Sequence, residues 1–269
     1  MVTEASPDAG AHRAPGTERR RVAPAMGTMI SIHVHDVLDD AIVDAAIDEV
    51  LVEIERLEQI FSTFRPDSTI NRVNRGELHV LDAGPEVTEV LDACTWLEHV
   101  SNGAFTARRP ETPELLDPAG YAKGWITEKA AGRLRAAGLQ HWYVGAGGDV
   151  IASGTPGPDR RWRVGVADPR TPGQYVATLE IDRGAVATSG TAERGEHLWD
   201  GRRGGRATAL AALTVVGPEL AWADAFATAA FAQGRPGVAW VEQFDGYEAM
   251  AVDLDGAIHA TTGFLRPDA

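Results

Sequence analysis

The sequence predicts an α+β fold, with mixed and antiparallel sheets flanked by helices. Three features of its apolar pattern carry that prediction: long runs with a helical period, shorter runs with a strand period, and a succession of the two that lacks a regular βαβ beat. A doubly wound parallel sheet is disfavoured on the last of these, and no internal repeat of fixed period is present.

Taken in order, residues 1 to 21 are rich in Ala, Pro, Gly and charge without an apolar period, which is the composition of a disordered tail, and Arg19, Arg20 and Arg21 read as its solvated end. From Ala25, the segment AMGTMISIHVHD sets Met29, Ser31 and His33 against Ile30, Ile32 and Val34, the alternation of a half-buried strand opened by a turn at Met26-Gly27-Thr28. His33 and His35 fall on its polar side. Residues 39 to 61 form the clearest helix, because Val43, Ile47, Val50, Ile54, Leu57 and Phe61 follow at spacings of 4, 3, 4, 3 and 4. Asp44, Asp48, Glu49, Glu53, Glu55 and Glu58 make its solvated face.

A second helix is predicted from Pro85 to Val100 with Val87, Leu91, Cys94 and Leu97 inward, so that Cys94 belongs to the core rather than to a reactive site. A third is expected from Trp125 to about Ala137, stopped by Gly138, and a fourth at 221 to 232. A short strand precedes the double glycine of HWYVGAGGDV, and further strands are predicted at 162–167, 175–181, 209–216, 247–253 and 257–262.

Composition narrows the function. The chain has 269 residues, 44% hydrophobic and 24% charged, enough for a substantial core, with 25 Lys and Arg against 39 Asp and Glu for a net charge of -14. That charge disfavours nucleic acid as a partner. One cysteine forms no internal disulfide, no stretch is apolar enough to span a bilayer, and the first residues lack the apolar centre of a secretory signal, so a soluble, cytoplasmic protein is expected.

Four clusters could carry chemistry. The turn at Met26, Gly27 and Thr28 allows close approach of a ligand, or is an ordinary entry to a strand. In DPAGYAKGWITEKAA, Asp117, Gly120 and Lys123 recur at intervals of three ahead of a helix, where the helix dipole and an ammonium suit phosphate, although a lysine there is also common surface decoration. GAGGDV places Gly147 and Gly148 before Asp149, either as a phosphate-cradling turn or as a tight connection; it does not fit the dinucleotide fingerprint, since Val150 stands at the sixth position. In the last cluster, ATSGTAERGEHLWD with AWADAFATAA, Asp224 and Thr228 lie four apart on a helix and share a face.

Asp and Thr supply oxygen ligands, which suit Mg²⁺. No His-Glu-x-x-His pattern and no Gly-x-Ser-x-Gly elbow is present, which disfavours a zinc or a serine hydrolase. His197, followed three residues later by Asp200, is the candidate general base.

Taken in order, MGTMISIHV, FSTFRPDSTINRVN, NGAFT, DPAGYAKGW, VGAGGDVIASG, ATSGTAERGEHLWD and ADAFATAAFAQG resemble the successive motifs of the ApbE family of FAD:protein FMN transferases, from about Ala25 to Phe264. The resemblance implies an ApbE-like, T-fold-like domain over 22–269. It implies a reaction in which FAD is cleaved with Mg²⁺ and FMN is attached through a phosphoester to a threonine of an acceptor protein, bearing a Ser/Thr-containing motif, with release of AMP. It further implies that Asp224, Thr228 and the carbonyl of Gly120 hold the metal, that His197 activates the acceptor threonine, and that Met26, Phe64, Asp117, Lys123 and Trp199 contact FAD. Phe64 stands where the family commonly has Tyr.

The sequence departs from the family in two places. His197-Leu198-Trp199-Asp200-Gly201-Arg202-Arg203-Gly204 lacks the Pro and Thr of the usual His-Ile-Ile-Asp-Pro-x-Thr-Gly, and the segment between NGAFT and DPAGYAKG is short and lacks a Trp-Gly motif. An Mg²⁺-dependent FAD pyrophosphatase giving FMN and AMP, and a non-catalytic flavin-binding protein, are the alternative readings.

Overall fold

A computed structural model describes residues 2–3, 18–109, 111–190 and 199–264. At its centre is an eight-stranded sheet in which every neighbouring pair is antiparallel. In chain order its strands are β2 (Arg19–Ala25), β3 (Thr28–Val34), β6 (Trp142–Ala146), β7 (Asp149–Ser153), β10 (Gly184–Gly190), β13 (Leu210–Gly217), β14 (Glu248–Asp253) and β15 (Ile258–Ala260). Their spatial order is β15-β14-β13-β10-β7-β6-β3-β2. A second sheet joins β1 (Val2–Thr3), β8 (Trp162–Ala167) and β9 (Tyr175–Ile181), and two small hairpins are β4 (Arg108–Arg109) with β5 (Thr112–Leu116) and β11 (Trp199–Asp200) with β12 (Gly205–Arg206). The helices are α1 (Asp40–Phe61), α2 (Thr69–Asn74), α3 (Pro85–Val100), α4 (Ala119–Ala136), α5 (Leu220–Gln233) and α6 (Pro236–Val241).

The period-two alternation of the central strands divides the core into two layers. Ala185 and Ala187 of β10 and Ala249 and Ala251 of β14 join the core under the helices, whereas Val186 and Met250 between them pack with Val164, Val166 and Leu179 of the smaller sheet. Helices therefore cover one face of the large sheet and β8–β9 the other.

α1 forms where its period predicts. Asp39 caps it by accepting the Ala41 N–H at 2.8 Å, and Val43, Ile47, Val50, Ile54, Leu57 and Phe61 are buried. Its acidic face is not wholly solvated: Glu53 is 6% exposed and is held by Arg56 and by Arg133 of α4. The guanidinium hydrogen bonds, Arg56 first, keep that carboxyl below its usual range. α3 matches its expected bounds, with Gly84 at φ 100° before Pro85. Cys94 is buried, and burial pushes its thiol up to about 12, which agrees with a core role.

Two expectations shift. α4 begins at Ala119, six residues before Trp125, so Gly120 and Lys123 lie within its opening turns rather than ahead of them. The predicted tail boundary falls inside β2, where Arg19, Arg20 and Arg21 pair with Val34, His33 and Ile32; an edge strand needs only one backbone partner and tolerates charge on its open side. Val2 and Thr3 also pair, with Val166 and Gly165, while residues 4–17 lie outside the described residues. Gly147 and Gly148, at φ 58° and 96°, form a tight two-residue turn joining β6 to β7. Among the described residues, no helix is long and apolar enough to cross a membrane.

Candidate active site

The site is built where α4 and α5 press together over the large sheet. Gly124 permits their closeness: a Cβ there would stand 2.7 Å from the Leu220 carbonyl oxygen and 2.9 Å from Asp224 Cβ. The start of α5 has no side-chain cap of its own, and α4 supplies one, because Glu128 Oε2 accepts the Ala221 N–H at 3.0 Å. Burial holds the Glu128 carboxyl above its ordinary range.

This packing places Asp224 against α4. Its side chain is nearly inaccessible, Oδ2 accepts the Gly124 N–H at 3.0 Å, and Lys123 Nζ lies 3.3 Å from Oδ1. In a helix the Gly124 N–H also faces the carbonyl of Gly120, so the two acceptors compete for it. Burial, with the neighbouring Asp149 charge, raises the Asp224 carboxyl well above the usual carboxylate range despite the ammonium beside it.

Asp149 is the second carboxylate, 1% exposed at the start of β7 and on the helix side of the sheet with Ile151. It accepts from Lys123 Nζ, and its Oδ1 takes the Thr188 N–H of β10 at 2.9 Å. One turn beyond Asp224, the Thr228 hydroxyl lies 3.3 Å from the Ser189 hydroxyl of β10. A Cβ on Gly120 would meet Thr228 Cγ2 at 3.4 Å, an ordinary contact, and Phe105 Cε2 at 2.9 Å, so the residue is glycine to admit the Phe105 ring, and it lies beside Thr228.

The structure thus brings together Gly120, Lys123, Asp224 and Thr228, and adds Asp149 and Ser189. Thr28 lies against the neighbouring Gly147 turn, where a Cβ would stand 2.7 Å from its Oγ1. Met26, at φ 52°, donates its N–H to Glu58 Oε2 at 3.0 Å, and Arg65 pairs with the same carboxylate at 3.3 Å. Met26, Glu58 and Arg65 line an open cleft of about 590 Å³. Asp117, half-buried just ahead of α4, donates its N–H to the Ala107 carbonyl at 2.7 Å and accepts the Ala119 N–H at 3.3 Å.

Other predicted residues stand apart. Phe64 is 90% exposed and is not packed on the carboxylate cluster. Trp199 lies half-buried under the Arg206 guanidinium, 5.6 Å from its ring centre. His197 lies outside the described residues. Asp200, three residues after it, is committed to Arg202, whose Nε and Nη2 reach it at 2.7 and 2.8 Å. The hairpin carrying Trp199 and Asp200 docks on the NGAFT turn, where Gly201 donates to the Ala104 carbonyl at 3.1 Å and a Cβ on it would meet Thr106 at 3.0 Å.

Among the described residues no group of three or more His, Cys, Asp or Glu could hold a metal ion. The donors here are one carboxylate, hydroxyls and a helix carbonyl, all oxygen, and two buried carboxylates share the Lys123 ammonium. Such a set suits a hard divalent cation and a phosphate group that the cation would accompany.

The chain is similar to known proteins in sequence and in fold. The ApbE family model matches residues 26–109 and 107–251. The FAD:protein FMN transferase of Treponema pallidum (strain Nichols) is 25% identical over 324 aligned positions, covering 94% of this chain and 89% of that protein. The flavin transferase ApbE from Vibrio cholerae superposes with a TM-score of 0.82 at 21% identity, covering 93% of this chain and 99% of that one. For the ApbE protein of Thermotoga maritima the TM-score is 0.82 at 22% identity, with 94% and 100% covered.

Proposed function

The chain belongs to the ApbE family and is a flavin transferase, and from that premise we propose that it moves the FMN part of FAD onto a threonine hydroxyl of an acceptor protein, with Mg²⁺ at the carboxylate cluster and AMP released. The observation that carries this reading is the buried Asp224 carboxylate with the Thr228 hydroxyl one turn on, beside the closely packed backbone of Gly120. These oxygens fit a magnesium ion in chemistry and in charge. When bound, it would neutralise the diphosphate of FAD and the charge that develops on the departing AMP.

The chain's own groups divide the remaining work. Lys123, in the opening turns of α4, adds its ammonium to the positive end of the helix, and both favour a diphosphate. Asp149 holds that ammonium in place. Asp117 and Met26 secure the dinucleotide, Phe64 offers a flat ring to the flavin, and Trp199 makes a further contact. His197 takes the proton of the attacking threonine hydroxyl, so that a new phosphoester bond forms as the diphosphate bond breaks.

The test is to incubate the protein with FAD, MgCl₂ and an acceptor domain carrying a Ser/Thr-containing motif, then to weigh the acceptor and assay AMP. The reading expects a mass gain equal to FMN on one threonine with equimolar AMP. Release of FMN and AMP without acceptor labelling would make the protein a pyrophosphatase, and bound FAD without turnover would make it a flavin-binding protein.

A further inference from the structure

α2 is a short helix, and its two asparagines tie together segments that are distant in the chain. Asn71 Nδ2 lies 2.8 Å from the Arg65 carbonyl oxygen, 3.0 Å from that of Thr63 and 3.4 Å from that of Ser62. Just past the helix, Arg75 Nη1 reaches the Pro66 carbonyl at 2.6 Å. The loop that carries Phe64 is therefore braced along its length, yet the ring at its tip is 90% exposed.

Three residues after Asn71, on the same side of the helix, Asn74 grips a different segment. Its Nδ2 donates to the Leu116 carbonyl at 2.9 Å and its Oδ1 accepts the Leu116 N–H at 2.8 Å, so one side chain satisfies both backbone groups of that residue as a neighbouring strand would. Leu116 immediately precedes Asp117, whose own N–H is held by Ala107. Asp117 is thus fixed from both sides.

We propose that α2 is a spacer that sets the position of the Phe64 ring relative to Asp117, with Asn71 and Asn74 as positioning residues for FAD. This rests on the reading that Phe64 and Asp117 contact that substrate. An exposed aromatic ring on a flexible loop loses rotamer and backbone freedom when a ligand lands on it; a loop already braced by hydrogen bonds to its backbone avoids the backbone part of that cost. The same holds for Asp117. Either asparagine alone is insufficient, because spacing requires both ends to be fixed.

The test measures KM for FAD and kcat, at saturating acceptor and magnesium, in Asn71→Ala, Asn74→Ala, the double variant, Asn74→Asp and Asp117→Ala, with FAD binding followed by fluorescence and folding by thermal melting. Each single Asn→Ala variant is expected to raise KM about tenfold, the scale of one or two lost hydrogen bonds, with kcat within about twofold. The double variant should be little worse than either single one, since losing one end already frees the spacing. Asn74→Asp keeps the acceptor for the Leu116 N–H but sets a carboxylate oxygen against the Leu116 carbonyl, so it should raise KM at least as much as Asn74→Ala; Asn71→Ala carries the test if neither Asn74 variant folds. Unchanged KM in both asparagine variants while Asp117→Ala raises it, or a double effect equal to the product of the singles, would overturn the spacer. Unchanged KM in Asp117→Ala would instead remove the underlying assignment of that contact, and the spacer with it.

Discussion

The backbone N–H of Gly124 donates to the Asp224 carboxylate at 3.0 Å across the interface of α4 and α5. A side chain on Gly124 would collide with the residues that begin α5, so one glycine both sets the helix spacing and delivers a hydrogen bond to the candidate metal ligand.

Gly124→Ala should therefore destabilise the protein despite the higher helix propensity of alanine. Forcing a methyl group into a close backbone contact typically costs about 1–3 kcal/mol, against a propensity gain of about 1 kcal/mol. Denaturant melts should show a lower midpoint with an unchanged slope. A variant as stable as the wild type would mean that the helices separate without loss.

Glu128 gives stability a pH dependence of defined sign. Burial raises its folded-state value above the ordinary 4.5, so the folded state keeps the proton that the unfolded state has already released. Below both values the group is neutral in either state and has no effect. As pH rises from about 4.5 toward the folded value, stability falls by up to about 1.4 kcal/mol per pH unit, and it levels off above. Glu128→Gln keeps an acceptor for Ala221 and should remove that decline. Parallel stability profiles for the two proteins would contradict the assignment.

Asp149→Asn retains an oxygen for the Thr188 N–H but loses the charge that holds Lys123. Charge-assisted hydrogen bonds contribute about 1.5–3 kcal/mol, which corresponds to a loss of about 10- to 100-fold in kcat/KM for FAD. A steady-state titration of FAD checks this. Wild-type kinetics would show that Lys123 needs no anchor.

His197→Ala should reduce transfer by about 100-fold or more, the usual scale for a general base, while FAD still binds. Fluorescence titration beside a transfer assay separates the two effects. An equal loss of binding would make His197 a substrate contact.

What could be read from the sequence follows from how local each signal is. α1, α3, β8 and β9 carry long periods or alternations and lie where the sequence pattern predicts them. β10 carries no such signal, because Gly184–Gly190 is a run of mostly small residues that faces a core on both sides and shows no alternation of apolar with polar residues. The opening turns of α4 are hidden by Gly120 and Gly124, poor helix formers that make room for the Phe105 ring and for the start of α5. Asp224 and Thr228 were legible as a pair because four residues make one helical turn. The partners that complete the cluster were not, since Lys123 meets Asp149 from 26 residues away and Asp149 meets Thr188 from 39.

The most direct test of the account is the intact mass of an acceptor domain after incubation with FAD and MgCl₂, using either the wild-type protein or Asp224→Asn. Asparagine preserves the size of the side chain and an acceptor for Gly124 but removes the charge a divalent ion requires. The account predicts an FMN adduct with the wild type that depends on added magnesium, and a loss of at least about 100-fold with a folded Asp224→Asn protein. Labelling by that variant at the wild-type rate would contradict it.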